Sequence, residues 1–126
     1  MAVERLDHYT IRTGDLDATR RFYTEVLGLS VGPRPAFTFP GLWLYGGRDP
    51  VVHVVGVEAA GAPSPDDGGT GRLDHVAFMG SDIEAMRERF RASGVAFQER
   101  VVPTLNLEQL FVRDPNGIKI ELNFPR

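Results

Sequence analysis

The chain contains three histidines and no cysteine, so any metal chemistry must rest on imidazole and oxygen donors. Two of the histidines share their surroundings. His8 closes the tetrapeptide Arg5-Leu6-Asp7-His8, and His75 closes Arg72-Leu73-Asp74-His75. The third, His53, lies in the valine-rich run "PVVHVVGV", and Glu121 places a carboxylate in "GIKIELNF". A lone strand histidine is ordinarily structural, and a lone glutamate on a polar strand face is ordinarily solvated. Here all three histidines are expected mid-strand, two of them at equivalent positions of a repeat whose symmetry would bring them together. Two imidazoles and one carboxylate form the facial set that holds Fe(II) and related divalent ions with coordination positions left open. His8, His75 and Glu121 are the expected ligands of such an ion.

These residues need elements to carry them. A shift of 67 positions (75 minus 8) lays Arg5–His8 on Arg72–His75, Asp15 on Asp82, Leu16 on Ile83, Ala18 on Ala85 and Arg20 on Arg87. The chain therefore reads as two copies of one unit. Each copy opens with a strand: Tyr9 and Ile11 mark its apolar face against His8, Thr10 and Arg12, and Val76 and Phe78 repeat that face opposite His75. Each strand leads to a helix. Ser81 to Glu84 has the spacing of a capping box with serine as N-cap. Phe22, Tyr23, Val26 and Leu27 form one apolar stripe, Ile83, Met86 and Phe90 the other, and Gly28 and Gly94 end the helices. Strands follow near Ser30–Val31, Leu42–Tyr45 and Val51–Val57, then near Phe97–Val102, Glu108–Arg113 and Ile118–Phe124. Asp114–Gly117 reads as a tight turn. On the last strand Lys119 and Asn123 are expected to be partly solvated, and the valines around His53 predict a strand covered on both faces. The fold class is α+β, two βαβββ units in one domain: unit 1 at about 1–57, a Gly/Pro/Asp-rich linker at about 58–72, and unit 2 at about 73–126.

Composition narrows the function. The 126 residues carry a formal charge of −3, which offers no basic footprint for nucleic acid. No apolar run approaches the ~20 residues of a membrane span, and the first residues lack the charged and apolar regions of a secretory signal. A cytoplasmic protein with a small-molecule substrate is expected.

The stretches "LDHYTIRTGDLDATRRFYTEVLGL", "LDHVAF" and, most specifically, "FVRDPNGIKIEL" resemble the vicinal oxygen chelate superfamily of glyoxalase I, extradiol dioxygenases, fosfomycin- and bleomycin-resistance proteins and methylmalonyl-CoA epimerase. The resemblance covers nearly the whole chain. It implies paired βαβββ units whose sheets curl around a metal-binding cleft, with ligands on the first strand of each unit and on the final strand, here His8, His75 and Glu121. His53 falls on the fourth strand, where the family often carries a further ligand or a catalytic histidine. The resemblance also implies a homodimer.

Two departures bear on the reaction. The fourth-strand position, a glutamate in glyoxalase I, is His53, and the asparagine expected four residues later is Val57, although Arg12 matches a glutathione-contacting arginine of bacterial glyoxalases. The tyrosine that contacts the catecholate in extradiol dioxygenases is replaced by Phe111, whose ring cannot donate a hydrogen bond. The expectation is a divalent-metal enzyme, provisionally an extradiol-type dioxygenase using Fe(II) or Mn(II) on a small oxygenated aromatic. In that reading His53 and Glu121 are the catalytic residues, and Arg12, Trp43, Tyr45 and Phe111 bind substrate. The alternatives are a glyoxalase-like lyase, isomerase or epimerase using Ni, Zn or Co, and a non-catalytic drug-binding protein like those that confer bleomycin resistance.

Overall fold

The computed structural model describes residues 5–57, 70–71, 73 and 75–126. Unit 1 comprises β1 (Tyr9–Thr13), α1 (Leu16–Arg21, continued by a π-helical turn over Phe22–Val26), β2 (Ser30–Gly32), β3 (Gly41–Gly46) and β4 (Asp49–Gly56). Unit 2 comprises β5 (Val76–Met79), α2 (Ile83–Ala92), β6 (Gln98–Val102), β7 (Leu107–Arg113) and β8 (Lys119–Pro125), with a 3-10 turn, Pro103–Leu105, before β7. The strand orders are β1-β4-β3-β2 and β5-β8-β7-β6. In each sheet the first strand pairs parallel with the fourth, and the other pairings are antiparallel. This is the expected duplicated βαβββ fold. Most of the predicted linker lies outside the described residues. No helix among the described residues is long and apolar enough to cross a membrane.

The helix caps repeat with the sequence. Asp15 accepts the Ala18 N–H at 2.9 Å, and Asp82, its repeat equivalent, accepts the Ala85 N–H at 3.2 Å. The second cap is thus Asp82 and not the expected Ser81. The carboxylate reaches the free N–H at the third helical position, and Asp82 turns left-handed (φ 61°) to present it. Gly28 and Gly94 end the helices at φ 81° and 66°, as anticipated. The π-helical turn widens the end of α1, where Leu27 N–H donates to the Phe22 carbonyl. Phe22, Tyr23, Val26 and Leu27 are all buried there.

One continuous core joins the units: Ile11, Tyr23, Leu44, Val52 and Val54 from the first meet Phe90, Leu110, Ile120 and Leu122 from the second. Each such side chain stabilises the fold by about 1.5–3 kcal/mol through its burial. A polar latch crosses the same boundary. The Tyr23 hydroxyl donates to Asp114 Oδ2 at 2.9 Å, the Thr13 hydroxyl donates to Asn116 Oδ1 at 2.8 Å, and the Asn116 amide donates to Thr19 Oγ1 at 3.1 Å. The Asp114–Gly117 turn therefore does more than reverse the chain. While Asp114 Oδ1 accepts the N–H groups of Asn116 and Ile118, its other oxygen pins unit 2 to the helix of unit 1.

The strand expectations for the histidines need two corrections. Only His53 lies within a strand; His8 and His75 stand one residue before β1 and β5. The β1 ladder starts at Tyr9–Val52, just past Pro50, which has no N–H to contribute. β5 likewise starts opposite Ile120, as soon as β8 has left its turn. Nor is β4 covered on both faces. Val52 and Val54 are fully buried, whereas His53 and its neighbours Val51 and Val55 on the opposite face are only half-buried.

Candidate metal centre

The expected site residues fall into two pairs, one per unit. In unit 1 the rings of His8 and His53 stack with centroids 3.7 Å apart, and Trp43 stacks on the other side of His53 at 4.0 Å. Trp43 and His53 are direct partners in the β3–β4 ladder. In unit 2 His75 Nε2 lies 3.4 Å from Glu121 Oε1, and Phe111 is the partner of Glu121 across the β7–β8 ladder.

Strand register makes the pairs equivalent. Thr10 pairs with His53 and Ala77 with Glu121, and Thr10 and Ala77 are related by the 67-residue shift of the repeat (77 minus 10). His8 therefore corresponds to His75, His53 to Glu121, and Trp43 to Phe111. Each unit supplies one histidine just before its first strand and one donor on its fourth. Within one chain the pairs remain apart: among the described residues no group of three His, Cys, Asp or Glu side chains is close enough to hold an ion.

The candidate donors are held in ways that would suit ligands. A metal-binding imidazole gives its second N–H to a carboxylate or carbonyl, which fixes the tautomer and aims the lone pair. His8 Nδ1 lies 2.6 Å from Asp7 Oδ2, which leaves Nε2 as the lone-pair nitrogen, and this hydrogen bond to His8 holds Asp7 below the usual carboxylate range. His53 Nε2 is buried without any hydrogen-bond partner. Burial lowers the His53 pKa below the ordinary imidazole value, and the neighbouring His8 lowers it further, while the Pro50 backbone, which can only accept, works in the opposite sense. Burial and His8 together favour the uncharged ring, and its Nε2 has no hydrogen-bond partner. A buried polar atom left unpaired costs stability, which makes His53 Nε2 a candidate contact for a bound group. Glu121 is held in turn, with Oε2 accepting from the Asn123 amide at 2.9 Å. The imidazole and carboxylate set fits a divalent ion.

The remaining predicted residues divide. Arg12 is exposed, on the same face of sheet 1 as His53 and two positions beyond it. The Tyr45 hydroxyl donates to the Pro33 carbonyl at 2.5 Å and so anchors the β2–β3 loop. That loop carries Phe37 and Phe39, mutually stacked at 4.8 Å, with Phe37 6.5 Å from Trp43. Phe111, under the Lys119 ammonium, walls a cleft of about 620 Å³ that also includes Phe97, Gln98 and Arg113.

Sequence reasoning assigned no role to Asp7, Gln109 or Asn123. Asp7 was visible as the aspartate before His8 in the repeated tetrapeptide. Asn123 is half-buried, as the expectation of partial solvation has it, and is in addition bonded on both sides: it donates to Glu121, and Gln109 Nε2 donates to its Oδ1 at 2.9 Å. Its partner Gln109 lies on another strand, so only the register could reveal it.

Residues 5–122 match the family model for the Glyoxalase/Bleomycin resistance protein/Dioxygenase superfamily. The chain belongs to this superfamily. A glyoxalase/bleomycin resistance protein/dioxygenase domain from Frankia sp. EAN1pec superposes with a TM-score of 0.77 at 23% identity, covering 98% of this chain and 93% of that one. Among curated superfamily relatives, Glyoxylase I 4 of Arabidopsis thaliana is 26% identical over 93% of this chain and 68% of its own length. The lactoylglutathione lyase GLX1 of the same plant is 32% identical over 94% of this chain, which spans only 43% of that protein.

Proposed function

We propose that two copies of this chain form a divalent-metal enzyme of the glyoxalase type, a lyase or isomerase acting on a small carbonyl compound with a second oxygen on the adjacent carbon. The observation that carries this reading is that one chain holds two repeat-equivalent pairs, His8 with His53 and His75 with Glu121. A C2 dimer that faces the His8/His53 pair of one copy toward the His75/Glu121 pair of the other makes two complete sites. Relatives named Glyoxylase I 4 and lactoylglutathione lyase support this reaction class.

In this reading His8, His75 and Glu121 hold the ion, and His53 stands beside them. A Ni, Zn or Co ion held there would supply Lewis acidity to the substrate carbonyl. His53, neutral and bare at Nε2, takes the proton from the carbon next to the carbonyl and returns it to the adjacent carbon; an imidazole is suited to both transfers near neutral pH. Trp43 behind His53 and Phe111 beside Glu121 keep water from the reacting carbons, and Arg12 takes an anionic end of the substrate. The test is turnover of a thiol adduct of a 2-oxoaldehyde by nickel-, zinc- or cobalt-loaded protein under anaerobic conditions. No turnover across a panel of such adducts would contradict the assignment.

A second reading retains one observation in its favour. A neutral histidine beside two imidazoles and a carboxylate also suits a ring-cleaving dioxygenase holding Fe(II) or Mn(II). Phe111, next to Glu121, lacks the hydroxyl that reaction uses. Oxygen uptake by iron-loaded protein with a catechol panel would select this alternative. A drug-binding role without catalysis would show as aromatic ligands binding equally well to metal-free and metal-loaded protein.

A further inference from the structure

The two fourth strands are matched position by position, and they differ at one place beside the candidate ligand. In unit 2 the ladder runs Phe111–Glu121, then Gln109–Asn123. In unit 1 it runs Trp43–His53, then Gly41–Val55. The unit that carries the carboxylate has an amide pair two residues along the same face; the unit that carries the imidazole has a glycine and a valine.

The amides form a directed chain. Gln109 Nε2 donates to Asn123 Oδ1, and Asn123 Nδ2 donates to Glu121 Oε2, each at 2.9 Å. Gln109 is 9% exposed, and the Glu121 side chain 15%. A free asparagine amide can flip and present its oxygen in place of its nitrogen. Here the Glu121 carboxylate, which can only accept, draws the N–H side of Asn123 toward it, and Gln109 supports that orientation by donating to the amide oxygen. The flipped state would set two acceptor oxygens against each other in a poorly hydrated place, where the repulsion is strong. One carboxylate oxygen is thereby committed. The other, Oε1, is the one turned toward His75 Nε2 at 3.4 Å, longer than a hydrogen bond of roughly 2.7–3.2 Å.

We propose that Asn123 and Gln109 are positioning residues that confine Glu121 to a single ligating oxygen, Oε1, with Gln109 acting only through Asn123. This rests on the metal-enzyme reading above and deepens it. A carboxylate fixed through one oxygen leaves more of the ion's positions to the substrate than a chelating carboxylate does. It is also a poor shuttle for protons, which leaves that task to His53. Unit 1 needs no such pair because an imidazole has only one lone pair to aim.

The experiment is calorimetric titration of Zn(II) into the chelator-stripped full chain for wild type, Asn123→Leu, Gln109→Leu and the double variant. Removing a partner that orients a ligand typically costs about 10–100-fold in metal affinity. Asn123→Leu is expected to weaken zinc binding within that range and Gln109→Leu by less, with the double variant no weaker than Asn123→Leu alone. Such non-additivity is what a serial chain produces, and a purely structural role does not. Melting temperatures of the metal-free variants monitor the fold. If Gln109→Leu fails to fold, Asn123→Leu carries the test. Wild type that binds zinc while Asn123→Leu binds equally well overturns the positioning role and leaves the metal site standing. Losses that multiply in the double variant overturn the serial relay. Wild type that binds no divalent ion overturns the function proposed above and this inference with it.

Discussion

Two units built on one plan have been put to different uses. Both open with a histidine just before a strand, cap a helix with an equivalent aspartate and return through a fourth strand that pairs parallel with the first. They diverge in what that fourth strand carries. Unit 1 offers an uncharged imidazole sandwiched between rings, with one nitrogen left bare. Unit 2 offers a carboxylate steered by amides. Duplication supplies the frame, and substitution at one register position separates a candidate proton carrier from a candidate ligand.

The largest effects should come from breaking this division. In the proposed site, Glu121→Ala and His75→Ala should each weaken divalent-ion binding by at least about 100-fold, since each removes a ligand outright. His53→Ala should spare much of the affinity and cost turnover about 10²–10⁴-fold, the range for losing a general base. Calorimetry and steady-state kinetics on the same variants read the two effects separately. Equal losses of affinity for His53→Ala and His75→Ala would abolish the distinction between the fourth strands.

The next effect concerns what joins the units. Tyr23→Phe strips the hydroxyl from Asp114 Oδ2 at the boundary, and a buried acceptor left unpaired costs about 1–3 kcal/mol. Urea denaturation should show a lower midpoint with an unchanged slope. A midpoint like that of wild type would mean the latch does not hold the units together.

Asp114 adds a dependence on pH. Burial raises its pKa from 3.8 despite its hydrogen bonds, which pull the other way. In the folded state it therefore keeps its proton to a higher pH than in the unfolded chain, and stability falls as pH rises from about 4 through the folded value. Asp114→Asn cannot titrate, so its stability deficit relative to wild type should shrink across that window. Urea midpoints collected from pH 4 upward measure this, and a widening deficit would reverse the sign.

The smallest effects compare the equivalent caps. Asp15→Ala should cost about 1 kcal/mol for the lost N-cap. Asp82→Ala should cost more, because alanine must also adopt the left-handed backbone at that position, a penalty of about 1–2 kcal/mol. Thermal melts of the two variants side by side give the difference.

The repeat made most of the frame legible, because a duplicated period, two glycine stops and alternating strands are local signals. The strand limits near Leu42–Tyr45, Glu108–Arg113 and Ile118–Phe124 lie within a residue or so of those observed. The candidate donors were legible as types: the chain has only three histidines, and Glu121 stood out among its 17 Asp and Glu by its place on the alternating last strand. Their grouping was not. That His53 belongs with His8 and Glu121 with His75 depends on which strands pair, and the Thr10–His53 and Ala77–Glu121 registers join residues more than forty positions apart. The choice of Asp82 over Ser81 as cap was unreadable for a different reason: both side chains can cap, and a left-handed turn at a single residue decided between them.

The most direct test of the account mixes two crippled proteins. One carries His8→Ala and His53→Ala, the other His75→Ala and Glu121→Ala; neither alone should bind zinc. If each site draws one pair from each of two copies, re-equilibrating equal amounts should restore binding to about one quarter of the wild-type stoichiometry, since half the dimers are mixed and each mixed dimer holds one intact site. Full zinc binding by either double variant on its own, or no recovery from mixed dimers verified by mass, would contradict the shared site.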